Sequence, residues 1–294
     1  MKAEINSTAL YGSRARKDFD IHSDNDLLVV SDSFENQYGI EKAFNDKGYS
    51  CSAYTFRKLE ILSDKKALFI QHLKQDATIL SDKDGRLQNL LINYSPKDNY
   101  DNEIKETVAY FDLLKYIPDT VEGIGWAFDI IAIGLRNYNI LQLANHKIYE
   151  FSLNNILKNS QGLFNLSNDE VSLLVNTRIV KKNYRDKHYQ LIPTKYELNA
   201  TIEIIEKRYS IRIKPIFLSK DNFNQYAFTS VYSNHQFTAY QKLRLFEAFT
   251  MTSSVIRDKS TYERCRRIIE NPKFYAFAFN KQSYIDDLLI EMTR

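Results

Sequence analysis

The stretch "YGSRARKDFDIHSDNDLLVVSD", residues 11–32, sets a Gly-Ser pair and a basic run ahead of two aspartates, Asp24 and Asp26, and an apolar tract at 27–30. A β-strand places side chains i and i+2 on one face. Two carboxylates side by side repel each other, and burying such a pair is costly. A divalent cation between them removes that cost. Just upstream, residues 9–11 form an apolar lead. If a strand ends at Tyr11, Gly12 lets the backbone come close to a triphosphate. Ser13 adds a hydroxyl and an amide donor, and a helix starting there favours anionic oxygen at its N-terminus. Arg14, Arg16 and Lys17 add positive charge. Asp24 and Asp26, re-entering the same place, would hold Mg²⁺ or Mn²⁺ through hard oxygen ligands and keep phosphate in the metal's sphere. Metal bridged by carboxylates can stabilise an in-line displacement at phosphorus.

The chain has 294 residues, enough for two domains, and its 44% hydrophobic and 26% charged residues are those of an ordinary globular protein rather than a disordered one. Cys51 and Cys265 lie far apart, so the cysteines support neither a disulfide framework nor a zinc cluster. No apolar run approaches membrane length and no leader-like apolar stretch opens the sequence, which leads us to expect a cytoplasmic protein that does not enter membranes. The formal charge of +3 is uneven: residues 201–294 carry 15 basic residues against 10 acidic ones. Such an excess can touch phosphates, but it more often marks a solvated face.

Three regions follow from the patterning. Up to about residue 95, short apolar runs (27–30, 50–54, 78–80) alternate with amphipathic stretches (40–47, 57–74), the order of a small α/β unit. Residues 95–99, Ser-Pro-Lys-Asp-Asn, read as a loop and the first boundary. Helical patterning then covers 104–116, stopped by Pro118, and 126–148. A polar break at 181–188 precedes further helices at 196–209 and 240–257, and Asn271-Pro272 ends another. The expected fold class is α/β (α+β): a mixed-sheet head over 1–95, then a mainly helical region over 96–294 with a sub-boundary near 181–190.

The run Gly12-Ser13, about ten residues, then Asp24-x-Asp26 before an apolar strand resembles the signature of the polymerase beta-type nucleotidyltransferase superfamily. Within it, "GSRARKDFDIHSDNDLLVV" is similar to the minimal and kanamycin-nucleotidyltransferase-like enzymes, with Lys17 standing where those have glycine. "YTFRKLEILSDKKALFIQHLKQDATILSDKDG", residues 54–85, is similar to a stretch following the core in many bacterial members, so the resemblance covers about residues 8–92. "GLRNYNILQLANHKIYEF" loosely resembles the helical HEPN partner domain of such enzymes; its Arg136 and His146 are too far apart for a HEPN ribonuclease. The resemblance implies that Asp24 and Asp26 bind metal and catalyse, that Gly12, Ser13, Arg14 and Arg16 bind an NTP or dNTP, and that a nucleotidyl group passes to a hydroxyl with release of pyrophosphate. The acceptor is open between a protein side chain, a small molecule and a nucleic acid end. The resemblance further implies a place in antiphage defence or a toxin–antitoxin pair, with a partner protein from the same operon.

One departure is a missing carboxylate. Much of the superfamily carries a third acid on the next strand, where it can activate the attacking hydroxyl. Here that strand, residues 49–54, reads Tyr-Ser-Cys-Ser-Ala-Tyr. Glu60 and Asp64 fall on the following helix, so base catalysis is absent, supplied from elsewhere (Asp129 or Glu122), or the site is a non-catalytic antitoxin or sensor module. His72 and Asp76 read as structural, and the Arg264, Arg266, Arg267 cluster as a solvated face. Tyr284, near the end of "NKQSYIDDLLIEMTR", is a candidate acceptor for protein-primed, untemplated nucleotide addition, a behaviour linked to the defence nucleotidyltransferases of the Hailong type that this chain resembles. The alternative for Tyr284 is packing beside Ile285, Leu288 and Leu289.

Overall fold

The computed structural model describes residues 5–19, 23–33, 36–233, 236–252, 263 and 265. They form two compact units, Met1–Ile104 with Asn139–Ser160, and Lys105–Tyr138 with Gln161–Arg294. The chain is a small mixed sheet with helices at its N-terminal side, followed by a mainly helical remainder. No described helix is long and apolar enough to cross a membrane.

The first unit is built on four strands, β1 (Ser7–Leu10), β2 (Asp26–Ser31), β3 (Ser50–Thr55) and β4 (Thr78–Asp82), in the order β3-β2-β1-β4. β1 pairs antiparallel with both β2 and β4, and β2 pairs parallel with β3. The single-turn helix α1 (Gly12–Arg16) follows β1, and α2 (Gln37–Asn45) links β2 to β3. Helices α3 (Phe56–Asp64), α4 (Leu68–Asp76) and α5 (Arg86–Asn93) follow. The amphipathic stretch 57–74 is thus two helices and not one. Lys66 takes a left-handed φ of 53° between them, which no continuous helix can hold.

The apolar run at 27–30 is buried on both faces, as expected of a strand covered by helices on either side. Leu28 and Val30 pack with Ala9 and Tyr11 against Phe56, Leu59, Ile70, Leu73, Leu87 and Leu91 of α3, α4 and α5. Leu27 and Val29 pack on the other face with Ile40 and Phe44 of α2. The edge of β3 would present unpaired amides, a hazard that exposed edges carry. Three α2 residues at helical spacing close it: Gln37 Nε2 donates to the Ala53 carbonyl (2.5 Å), Glu41 Oε1 accepts from Ala53 N (2.8 Å), and Asn45 Oδ1 accepts from Cys51 N (2.9 Å).

Three helices carry the chain across the unit boundaries: α6 (Asp101–Tyr110), α7 (Val121–Asn145) and α8 (Leu153–Phe164). The second unit adds α9 (Asn168–Arg185), α10 (Lys195–Tyr209), α11 (Lys220–Ser233) and α12 (Ala239–Thr252). It also holds a short parallel pair, β5 (Tyr116–Pro118) and β6 (Ile216–Leu218), that periodicity did not foretell because each strand spans three residues. The polar segment at 181–188 holds the end of α9, which starts at a capping box between Ser167 and Glu170, runs to Arg185 and is followed by Lys187 at a left-handed φ of 61°. A second capping box, Thr194 with Glu197, starts α10.

In this unit α7 is apolar nearly all round and therefore buried. Gly134 lets the Phe111 ring approach to where a Cβ would meet it at 2.6 Å. Amid these apolar residues lies one fully buried carboxylate, Asp129. Arg185 binds it in a fork (Nε to Oδ1 3.1 Å, Nη2 to Oδ2 2.6 Å), and Arg244 Nη2 donates to Oδ2. Glu247 closes the network, with Oε1 3.4 Å from Arg185 Nη1 and accepting from Tyr184 Oη at 3.0 Å. Its Oε2 lies 2.5 Å from Arg244 Nη1, an ion pair whose angle falls outside hydrogen-bond geometry. Burial pushes the Asp129 carboxyl up, but Arg244 and Arg185 outweigh it and hold the group below the ordinary carboxylate range.

Removing one member of a buried ion network strands the others uncompensated, at a cost of about 3–5 kcal/mol. Asp129→Ala should lower stability by that order. Trp126, the chain's one tryptophan, is buried with Nε1 donating to the Arg244 carbonyl at 2.9 Å, so its emission during urea unfolding reports this unit. An unchanged Trp126 midpoint would show the network to be dispensable.

Candidate functional site

The site forms where β1 hands over to β2. The amide of Tyr11 donates to the Asp26 carbonyl at 3.2 Å, which continues the β1–β2 ladder to its last rung. The chain then turns at Gly12, whose φ of +73° is left-handed, the region that favours glycine. A Cβ at this position would stand 2.5 Å from Asp26 Oδ2. The bare Cα of Gly12 and the carboxylate of Asp26 are therefore packed against each other, and the backbone passes close to the acid because nothing projects between them.

Asp26 is the first residue of β2, and strand alternation puts it on the face of Leu28 and Val30. Asp24 lies in irregular chain before the strand and is exposed, so alternation does not govern its direction. Ser13 is half-buried and its carbonyl accepts from Asp18 N at 3.1 Å. Lys17, where the enzymes whose signature this stretch resembles have glycine, takes φ 66° and ψ 23° and caps α1 in the left-handed conformation. The turn is kept, and Lys17 carries the steric cost a glycine would avoid. At five residues α1 is too short for a helix dipole to hold an anion, so polyphosphate binding here would rest on the backbone at Gly12 and Ser13.

The two arginines do different things. Arg14 is exposed, with its guanidinium 4.9 Å from the centroid of the Phe19 ring. Arg16 is engaged inside the unit: Nη1 donates to Asp76 Oδ2 at 2.5 Å and Nε to Asp18 Oδ2 at 3.2 Å. His72 Nε2 lies 3.1 Å from the same Asp76 oxygen, while the ring stacks on Phe151 at 4.4 Å and meets Tyr11 edge-on at 5.6 Å. Arg16, His72 and Asp76 thus pin α1 to α4, the structural role expected for the last two. Burial raises the Asp76 carboxyl, yet His72 and Arg16 overcome it and hold the group below its usual value.

On β3 the residues opposite Asp26 and Leu28 are Ser50 and Ser52. The Tyr11 hydroxyl donates to Ser52 Oγ at 3.4 Å, so a hydroxyl pair stands where a third carboxylate was sought. Burial pushes the Tyr11 phenol up to about 12, with the Ser52 hydrogen bond opposing and the Asp26 charge adding, and it is a donor at neutral pH. Among the described residues no group of three or more His, Cys, Asp or Glu is arranged to hold a metal. Asp129 is committed to its arginines. Tyr284 and Arg264, Arg266 and Arg267 lie outside the described residues. The tie between Arg16 and Asp76 is a structural fact that sequence reading missed. Its only trace in the sequence is the i,i+4 spacing of His72 and Asp76 on an otherwise apolar helix.

Because the folded-state value of Asp76 is depressed, its contribution is fully present above the unfolded value near ~4 and is lost as pH falls through the folded one. Asp76→Asn should therefore be less stable than wild type at pH 7, with the difference shrinking toward pH 3. Circular dichroism urea midpoints at the two pH values measure it, and a constant difference would rule out the ion pair as its source.

Residues 2–131, somewhat under half of the chain, match the family model described as nucleotidyltransferase domain. No curated protein matches the chain. The matched segment holds the Gly12 turn, Ser13 and both aspartates, so the N-terminal part of the chain is similar to nucleotidyltransferase domains, and the match supports the polymerase beta-type superfamily and a transferase reading.

Proposed function

We propose that the first unit binds a nucleoside triphosphate with Mg²⁺ or Mn²⁺ and transfers its nucleotidyl group to a hydroxyl. The observation that carries this reading is the left-handed Gly12 turn packed on the Asp26 carboxylate, inside a segment that matches nucleotidyltransferase domains. The donor set suits the metal: Mg²⁺ is commonly held by one or two carboxylates together with substrate phosphates rather than by a complete protein cage. Asp24 and Asp26 would hold it, and when bound it would supply charge neutralisation for the phosphoryl oxygens. Gly12 and Ser13 would present backbone to the triphosphate, with Arg14 the nearby exposed cation. In the transfer, the acceptor oxygen forms a bond to the α-phosphorus, the α–β anhydride bond breaks, pyrophosphate leaves, and the hydroxyl proton passes to solvent. Asp18 and Asp76 occupy Arg16, whose part is to position the turn.

A second reading has its own support. The hydroxyl pair of Tyr11 and Ser52, in place of an acid beside Asp26, suits a module that binds nucleotide without turning it over, as an antitoxin or sensor would.

Incubation with each NTP and dNTP, read by pyrophosphate release and intact mass, separates the two. Asp24→Ala and Asp26→Ala should each lower pyrophosphate release by 100-fold or more with the fold retained, and near-wild-type release from either variant would sink the metal assignment. Stepwise mass gain on the chain itself would identify it as the acceptor, and loss of that gain in Tyr284→Phe would place it at Tyr284. Gly12→Ala should weaken nucleotide binding by calorimetry at least tenfold, because the methyl displaces Asp26. An unaltered affinity would remove the turn from the binding surface.

A further inference from the structure

His72 of α4 touches the chain on both sides of the Gly12-Ser13 turn. Before the turn, the Tyr11 ring meets the imidazole edge-on, with centroids 5.6 Å apart. After it, Arg16 Nη1 stands 3.5 Å from His72 Nε2, and the two reach the same Asp76 Oδ2 at 2.5 and 3.1 Å. The imidazole therefore brackets the turn, and the direction of its plane decides where Nε2 meets Asp76 and Arg16.

That plane is set by a residue far along the chain. Phe151, between α7 and α8, stacks on the imidazole with centroids 4.4 Å apart and planes 19° from parallel. It is buried in a cluster with Ile140, Leu143 and Ile156, against which Leu68 of α4 also packs. Glu150 Oε1 accepts from the amides of Phe151 and Ser152, at 2.9 and 2.8 Å, so the backbone is held as well as the ring. Residues 139–160 belong to the same compact unit as α4, although they lie past the segment similar to nucleotidyltransferase domains.

We propose that Phe151 is a positioning residue for the nucleotide-binding turn and acts through His72. That role presupposes the nucleotide reading of the first unit. Groups that hold a binding element must themselves be locked by packing. The χ2 torsion of an imidazole is soft by itself, and the stacked phenyl ring confines it. Without the stack, Nε2 loses its alignment on Asp76 and leaves Arg16 to tie α1 to α4 without it. A looser turn presents the backbone of Gly12 and Ser13 to phosphate for a smaller fraction of the time, and the apparent affinity falls by that fraction.

The test measures the affinity of the full chain for each Mg²⁺–NTP by calorimetry, together with hydrogen exchange of residues 8–19 read by mass spectrometry. Phe151→Leu stays apolar but removes the stack. It should weaken binding about fivefold, the order expected of one aromatic pair, and speed exchange in 8–19. Phe151→Tyr keeps the ring and should restore both. Ile156→Val thins the same cluster with both rings in place and should move neither. In a His72→Gln background, Phe151→Leu should add nothing, because the two act in one relay. Wild-type affinity and exchange in Phe151→Leu overturn the proposal, as does an equal loss in Ile156→Val or full additivity with His72→Gln. Unchanged affinity in His72→Gln alone overturns it too, however well Phe151→Leu folds. If the wild type binds no NTP, the nucleotide reading fails by itself and exchange decides the rest. Faster exchange in Phe151→Leu with recovery in Phe151→Tyr then supports Phe151 as the hold on the turn, and unchanged exchange overturns it.

Discussion

The first unit depends on the burial of β2 on both faces. Leu27, Leu28, Val29 and Val30 are each almost wholly withdrawn from water, and each contributes on the order of 1.5–3 kcal/mol. A strand apolar on both faces has no alternation to fix its register, since a slip of one residue exchanges one apolar side chain for another. The polar ends supply what the middle lacks. Asp26 stands at the entry with its carboxylate against Gly12, and Ser31 at the exit donates to the Ser33 carbonyl at 2.8 Å. The same aspartate that ends the hydrophobic tract therefore sets the strand in place and faces the turn.

Arg16, one of the cations beside the candidate site, is committed to the fold. Arg16 ties α1 to α4 through Asp76, and Arg86 lies over the Phe56 ring while pairing with Asp32 and Glu60. Asp32 follows the far end of β2, about 20 Å from Asp26 at the strand rise of ~3.3 Å per residue. The Arg86 group is thus a brace for that end of the sheet. In the second unit the arginines Arg185 and Arg244 are likewise held by carboxylates. A count of basic residues in sequence says little about free positive charge until these pairings are known, because an arginine in a fork with a buried carboxylate presents little net charge to a ligand.

Particular elements show why some of this was readable and some not. The run at 27–30, the helix that follows β3 and the helical character beyond residue 100 follow from local patterning, which depends only on residues close in sequence. The split of 57–74 into α3 and α4 did not, because the break falls at Lys66, a residue with no turn preference that closes α3 in the left-handed conformation while Ala67 N donates to the Leu62 carbonyl at 2.9 Å. Lys17 presents the same case: its charge is legible in the sequence, but that its backbone caps α1 in the left-handed conformation is not. The end of α9 is placed by Tyr184 and Arg185, which reach Glu247 and Asp129, partners more than fifty residues away.

The sequence by itself determined the Gly-Ser turn, the two aspartates and the buried strand, because each is a local demand: a left-handed bend, a charged residue that refuses burial, an apolar run that seeks it. The absence of an acid on β3 is also a fact of composition. Only the tertiary structure decided what occupies that absence, a tyrosine hydroxyl on a serine, and which cations are already paired. Those outcomes turn on distances between residues 41 to 115 positions apart, and electrostatic energy depends on separation and burial in space, neither of which is written in the order of the chain.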